Sequence, residues 1–251
     1  MVEKTLAQMF WNRVERHGDT PAQIFKRGER WETLTWRQYG EIVKELAMGL
    51  LALGRKKGDA VALLAQSRAE WVQADFSILS AGCVTVPIYP SYVPEQIAYI
   101  VNDSDARTII VENAAQLAKV GEVRGKMDRL EQVIVMEEYE TREPSVYTWQ
   151  SLRRMGRESA ERLKGEFAGR VTGTKPDDVA TLDRPDEEAV VVTVGGGGCL
   201  VRVGGETFEL PGRSSVFDGM PWAIYLPPNS GASLSGLPTG DNSASLIAYA
   251  Q

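Results

Sequence analysis

The grammar of this chain changes near Leu182, and that break constrains what it can fold into. Residues 1–182 hold 25 Lys and Arg against 26 Asp and Glu. Residues 183–251 hold 3 against 8, with no lysine after Lys175, and carry 11 of the 24 glycines and 6 of the 12 prolines. Such a shift inside one continuous chain predicts two units, 1–182 and 183–251. The chain is 43% hydrophobic and 25% charged, which is the composition of packed globular sequence rather than of disorder.

The first unit alternates two periodicities. Thr5 with Gln8, Thr35 with Gln38, and Ser67 with Glu70 place a hydroxyl three residues before a Glu or Gln, the spacing of a helix-starting capping box. Helical spacing follows each. Leu6, Met9, Phe10 and Val14 share a face; Tyr39, Ile42, Val43, Leu46, Leu50 and Leu53 share another, closed by Gly54; Trp71, Ala74, Asp75 and Ile78 precede Gly82. Pro94 opens one more helix through Gln96, Ile97, Tyr99 and Ile100, and a further helix is predicted over 149–163. Short apolar runs at 60–65, 83–89, 107–112 and 132–136 lie among them. Continuous apolar strands alternating with helices predict an α/β fold, a mostly parallel sheet with flanking helices on both faces. The tail instead reads as short β-rich runs at 189–194, 199–203, 207–210, 222–226 and 245–249, punctuated by Gly and Pro, which predicts a small antiparallel barrel or sandwich.

Composition excludes several chemistries. With one histidine, His17, the chain cannot supply a two-histidine zinc site, and Arg16-His17-Gly18 reads as the cationic end of a helix. Cys83 and Cys199 lie far apart with no CxxC partner, as in a reduced protein without a disulfide framework. No run approaches 18 apolar residues, and Glu3 and Lys4 stand where a secretory signal would be hydrophobic, so no transmembrane segment and a cytoplasmic location are expected. The net charge of -6 and the absence of an isolated basic cluster argue against nucleic acid as a partner.

Four motifs invite a chemical reading. Gly195 to Gly198 could cradle a phosphate, but strand-like sequence follows with no lysine, so a plain hairpin turn is expected. Arg55-Lys56-Lys57-Gly58-Asp59 carries charge that could attract an anionic substrate but reads as a solvated loop between helix and strand, and Glu137-Glu138 and Asp186-Glu187-Glu188 read as solvated acidic faces rather than a metal site. The segment from Gly82 to Pro90, a buried strand ending in Pro87-Ile88-Tyr89-Pro90, places its loop at the carboxyl edge of a parallel sheet, where α/β proteins bind ligands.

The runs Leu34-Thr35-Trp36-Arg37-Gln38-Tyr39, Gly58-Asp59-Ala60-Val61-Ala62, Ser67-Arg68-Ala69-Glu70-Trp71, the Ala81-Gly82 to Pro90 segment, and Glu95 to Ile100 with Asn102-Asp103-Ser104 occur in one order. Together, over about residues 5–182, they resemble the N-terminal region of AMP-forming acyl-CoA synthetases, the long-chain fatty-acid type in particular. The resemblance implies a ligase that adenylates a carboxylic acid with ATP and Mg²⁺ and passes the acyl group to coenzyme A. In that family the run corresponding to 175–182 leads into a Ser/Thr/Gly-rich phosphate loop ending in lysine, whereas here Asp183-Arg184-Pro185-Asp186 follows. The adenine-binding segment, the Tyr-x-Thr-Gly-Asp motif and the adenylation lysine are also missing from these 251 residues. No residue therefore inherits a catalytic role, no cofactor is expected to bind this chain alone, and whether the chain is itself an enzyme stays open.

In the tail, Glu188 to Val192, Gly197 to Val201, Gly212 to Pro221 and Ala223 to Pro228 resemble a piece of the first cupin repeat of 5-deoxyglucuronate isomerase, over about residues 185–251. That resemblance implies sugar-acid isomerisation at a metal held by histidines and a glutamate, but the tail contains no histidine, so no metal site is expected. Three readings follow: a truncated or hybrid chain inactive alone; a ligase subunit completed in trans, with fatty acid as substrate only then; and a sugar-acid-binding cupin module without metal. Sheet edges normally covered by the missing sequence would favour oligomerisation.

Overall fold

The computed structural model describes residues 5–175 and, beyond them, the backbone of six strands. By its internal contacts the chain divides into two units, one spanning Leu6–Gly173 and the other containing the tail strands.

In the first unit, helix α1 (Leu6–His17) is followed by strands β1 (Pro21–Arg27) and β2 (Arg30–Thr35), then α2 (Trp36–Ala52). There follow β3 (Ala60–Leu64), α3 (Ala69–Ser80), β4 (Val84–Ile88), α4 (Pro94–Asp103), β5 (Thr108–Val111), α5 (Ala114–Val123), β6 (Gln132–Val135) and β7 (Val146–Thr148). Helices α6 (Trp149–Glu158) and α7 (Ala160–Gly173) close it. The expected sheet is present: β4-β3-β5-β6-β7, all neighbours parallel.

Alternation along the strands explains why they read as unbroken apolar runs. Val61, Leu63, Ile110 and Ile134 pack with α2, α3, α6 and α7, whereas Ala62, Leu64, Ile109, Val111, Val133 and Val135 pack with α4 and α5. Successive side chains point to opposite faces, and both faces are covered. On the first face α2 and α6 approach closely because Gly49 and Gly156 leave room: a Cβ on Gly156 would overlap the Glu45 carbonyl, and one on Gly49 would stand 2.5 Å from the Leu152 carbonyl oxygen. A satellite cluster joins α1, α2 and α3, with Phe10 stacked on Phe76 at 4.6 Å and edge-on to Tyr39 at 4.9 Å.

Helix α7 belongs to this unit. Leu163, Phe167 and Val171 enter the core, and its last carbonyls are met by Gln8 Nε2 on Thr172 O (3.4 Å) and Lys57 Nζ on Gly173 O (3.1 Å). The edge strand β4 is blunted. Val84 N–H donates to Asp59 O in the β3 direction, so by alternation Thr85 and Pro87 face outward, and Pro87 has no N–H to offer.

Several local expectations change. The Thr35–Gln38 capping box forms, but the Ser67–Glu70 box does not: α3 starts at Ala69 behind Arg68 with no side-chain cap, and Glu70 pairs with Arg68 and Arg27 instead. The single helix over 149–163 is two, broken at Ser159, which lets α7 turn into the core. On α1 the buried residues are Ala7 and Phe10, and Leu6 is exposed. The β1–β2 hairpin, unanticipated from sequence, turns on Gly28-Glu29 with Gly28 at φ 59°, a conformation glycine adopts freely.

The tail strands are β8 (Ala189–Thr193), β9 (Cys199–Val203), β10 (Glu206–Leu210), β11 (Ala223–Leu226), β12 (Ser233–Gly236) and β13 (Leu246–Ala250). They form two antiparallel three-stranded sheets, β10-β9-β12 and β11-β8-β13. Strands β8 and β9 therefore lie in different sheets. Gly195 to Gly198, read from sequence as a hairpin turn, and Asp186 to Glu188 lie outside the described residues. No helix among the described residues is long and apolar enough to cross a membrane.

Gly156→Ala should lower stability by about 2–3 kcal/mol, because a rigid backbone blocks the added methyl. Gly165→Ala, at an open exposed position of α7, should raise it by up to about 1 kcal/mol. Urea unfolding of the two variants checks the contrast.

Candidate functional site

The order β4-β3-β5-β6-β7 places a topological switch between β3 and β5. The chain leaving β3 runs through α3 on one face, and the chain leaving β5 runs through α5 on the other. The crevice at the carboxyl ends of two such strands is where ligands enter open α/β sheets. Here it is filled. Arg68, four residues beyond β3, donates from Nε to Glu70 (2.8 Å) and from Nη1 to Glu112 (3.3 Å) and Glu137 (2.7 Å). Glu112 follows β5 and Glu137 follows β6; Glu137 and Glu138 are exposed, as expected of a solvated acidic face, and Glu137 in addition pairs with Arg68. Glu112 also accepts from Gln66 N–H (2.8 Å), and Glu70 is shared with Arg27 of β1 (2.9 Å).

Burial works against charge on Glu70, but hydrogen bonding and the nearby positive charges outweigh it and hold its carboxyl below the ordinary range. A depressed folded-state carboxyl contributes stability above its unfolded pKa that is lost as pH falls through the folded value. Three carboxylates against Arg68 and Arg27 are a poor cradle for a polyphosphate, which needs converging N–H donors and positive charge, so these residues do not fit a nucleotide triphosphate. Among the described residues, no three His, Cys, Asp or Glu side chains stand close enough together to hold a metal ion.

Next to this crevice, the loop after β4 is fixed from several sides. Lys119 Nζ donates to Pro90 O (2.6 Å) and Tyr92 O (3.1 Å), Gln116 Nε2 to Pro90 O (3.3 Å), and the Tyr89 and Tyr92 rings meet edge-on at 5.5 Å. Tyr89 is nevertheless 68% exposed. The loop that follows the Gly82 to Pro90 segment thus lies at the carboxyl edge of the sheet, held from several sides and carrying an accessible aromatic ring.

The other motifs are structural. His17 ends α1, and its carbonyl accepts from Thr20. Arg55 is not solvated, being 4% exposed: it pairs with Glu131, which Arg107 also engages at 2.9 Å. Cys83 is buried, its thiol pushed up to about 12 mainly by burial, which makes it a poor nucleophile. Asp75 accepts from the Thr85 hydroxyl at 2.7 Å, yet burial raises its carboxyl above the ordinary range.

A raised folded-state carboxyl binds its proton more tightly than the unfolded chain does, so its charging costs stability as pH rises from the unfolded towards the folded value. Asp75→Asn, which keeps an acceptor for Thr85, should therefore be more stable than the parent at pH 7, with the difference vanishing near pH 3. Thermal unfolding across that range checks the sign.

Comparison with known proteins agrees with this architecture. The family model described as AMP-binding enzyme matches residues 10–183, and that of the KduI/IolB family matches 157–248. The two overlap across α7, which packs with the first unit. A long-chain-fatty-acid CoA ligase of Xenopus laevis is 29% identical over 71% of this chain and 24% of its own length, and one of Bos taurus is 33% identical over 63% and 22%. The chain thus spans about a quarter of these relatives. Among solved structures, an anthranilate CoA ligase in complex with anthranoyl-AMP superposes with a TM-score of 0.54 at 24% identity, covering 61% of this chain and 28% of that one. The coronafacic acid ligase of Pectobacterium brasiliense gives 0.53 at 17% identity, covering 59% and 29%. With a family model matching more than half of its residues and a parallel sheet of the same fold, the chain belongs to the AMP-binding enzyme family.

Proposed function

We propose that this is a hybrid chain, an acyl-CoA-ligase N-terminal portion over 1–182 joined to a cupin-like portion over 183–251, with no adenylating activity of its own. One observation carries the reading: after the run 175–182 the sequence continues Asp183-Arg184-Pro185-Asp186, where the ligase family has its Ser/Thr/Gly phosphate loop and lysine. Without those amides and that lysine, the chain lacks the groups by which the ligase family holds the ATP phosphates and stabilises the adenylation transition state. The carboxylate-lined crevice around Arg68 supports the same conclusion. What the first unit retains is scaffold and a substrate-side wall, of which the fixed Tyr89 loop is the accessible part.

A second reading, completion in trans, is supported by the closed first unit, whose α7 is capped from within by Gln8 and Lys57. A separate polypeptide carrying the phosphate loop and lysines would then supply ATP, Mg²⁺ and coenzyme A chemistry towards a fatty acid. The KduI/IolB match supports a third role for the tail, as a sugar-acid-binding module without metal.

Fatty-acid-dependent ATP–pyrophosphate exchange separates these. The chain alone should show no turnover above the blank; clear exchange overturns the proposal. Exchange that appears only on adding a polypeptide with the phosphate loop selects completion in trans. A uronic acid that raises the unfolding temperature of the chain selects the binding module, since a ligand of the native state stabilises it.

A further inference from the structure

Three strand ends at the carboxyl edge are joined by backbone as well as by charge. Glu112 N–H donates to Leu64 O at 3.0 Å, Glu137 N–H to Glu112 O at 3.0 Å, and Gln66 N–H to the Glu112 carboxylate at 2.8 Å. Arg68 crosses above them from the end of β3, past Glu112 at the end of β5, to Glu137 at the end of β6. Its reach spans the switch-point crevice.

We propose that Arg68 is an ionic clasp that holds this crevice shut, and that Glu70 couples the clasp to the β1–β2 hairpin. The guanidinium fork is suited to the task, because it donates in several directions at once from a planar group. Of its three partners Glu137 is the most exposed, at 46%, so the Arg68–Glu137 link is the one that opens first. Glu70 is shared by Arg68 and Arg27, and Arg27 also meets Glu32 across the hairpin at 3.3 Å. The hairpin has a second anchor that does not involve the clasp: Gln23 Nε2 donates to Ala69 O (3.4 Å), and Gln73 Nε2 to Gln23 Oε1 (2.9 Å). The clasp therefore controls only the Arg27 end of the hairpin. This device is independent of whether the chain adenylates anything, since it rests on charge and strand order alone.

Amide hydrogen exchange measured by NMR on the full chain tests it. In Arg68→Met, which keeps an apolar stem, the Gln66, Glu112 and Glu137 amides should exchange about tenfold faster and in concert, while the core amides of Ile110 and Ile134 stay at the parent rate. Glu70→Gln should speed the same three amides and, in addition, those of residues 27–32. Sodium chloride at 1 M should move the parent towards the Arg68→Met pattern, because these charges are partly exposed. Glu137→Gln, at an exposed position that does not endanger folding, should reproduce the effect at Gln66 and Glu137. A response confined to one strand end, no response, or an equal rise in the core amides overturns the clasp; an unchanged hairpin in Glu70→Gln overturns the coupling.

Discussion

A parallel sheet that is apolar on both faces has to be covered twice, and everything else in the first unit is arranged around that requirement. Strands β3, β5 and β6 expose almost nothing, so their residues divide strictly by parity between two cores. The helices must then come close enough to exclude water. On one side this depends on Gly49 and Gly156, which bring the α2 and α6 backbones into contact. The larger helical layer, with α7 and the Phe10–Tyr39–Phe76 cluster, lies on that same side.

Covering both faces also decides where chemistry could sit. With side chains committed to the cores, accessible polar groups are left at the two ends of the strands. At the amino end they form the Arg55–Glu131–Arg107 pairing; at the carboxyl end they form the Arg68 network and the fixed Tyr89 loop. Both ends are stabilised by ion pairs internal to the chain. At the switch point Arg68 is already engaged by Glu70, Glu112 and Glu137, so the carboxyl edge presents carboxylates rather than a cluster of positive charge.

Much of the architecture was legible in the residues, and the misses have physical causes. The strands were visible because burial on both faces leaves continuous apolar runs, and α2 was visible because its capping box and its face agree. The Ser67–Glu70 spacing promised a similar cap, but α3 starts behind Arg68 without a side-chain cap, and the Glu70 carboxylate is engaged by the guanidinium groups of Arg68 and Arg27. Arg55 looked solvated because its neighbours Lys56 and Lys57 are charged; its burial depends on Glu131, 76 residues away, which no local pattern reveals. The hairpin escaped notice because Lys26, Arg27, Glu29 and Arg30 interrupt the alternation at its tip.

By itself the sequence determined the two-unit composition, the parallel α/β character of the first unit, and the departure at Asp183 from the run that the ligase resemblance leads to. These are matters of composition, periodicity and the presence or absence of named residues, which need no third dimension. Tertiary structure alone decided which charges meet. Arg68, Glu112 and Glu137 lie as much as 69 residues apart and become neighbours only because β3, β5 and β6 are adjacent in the sheet. Strand order is set by how the helices pack on two faces, and that is a property of the whole core rather than of any segment.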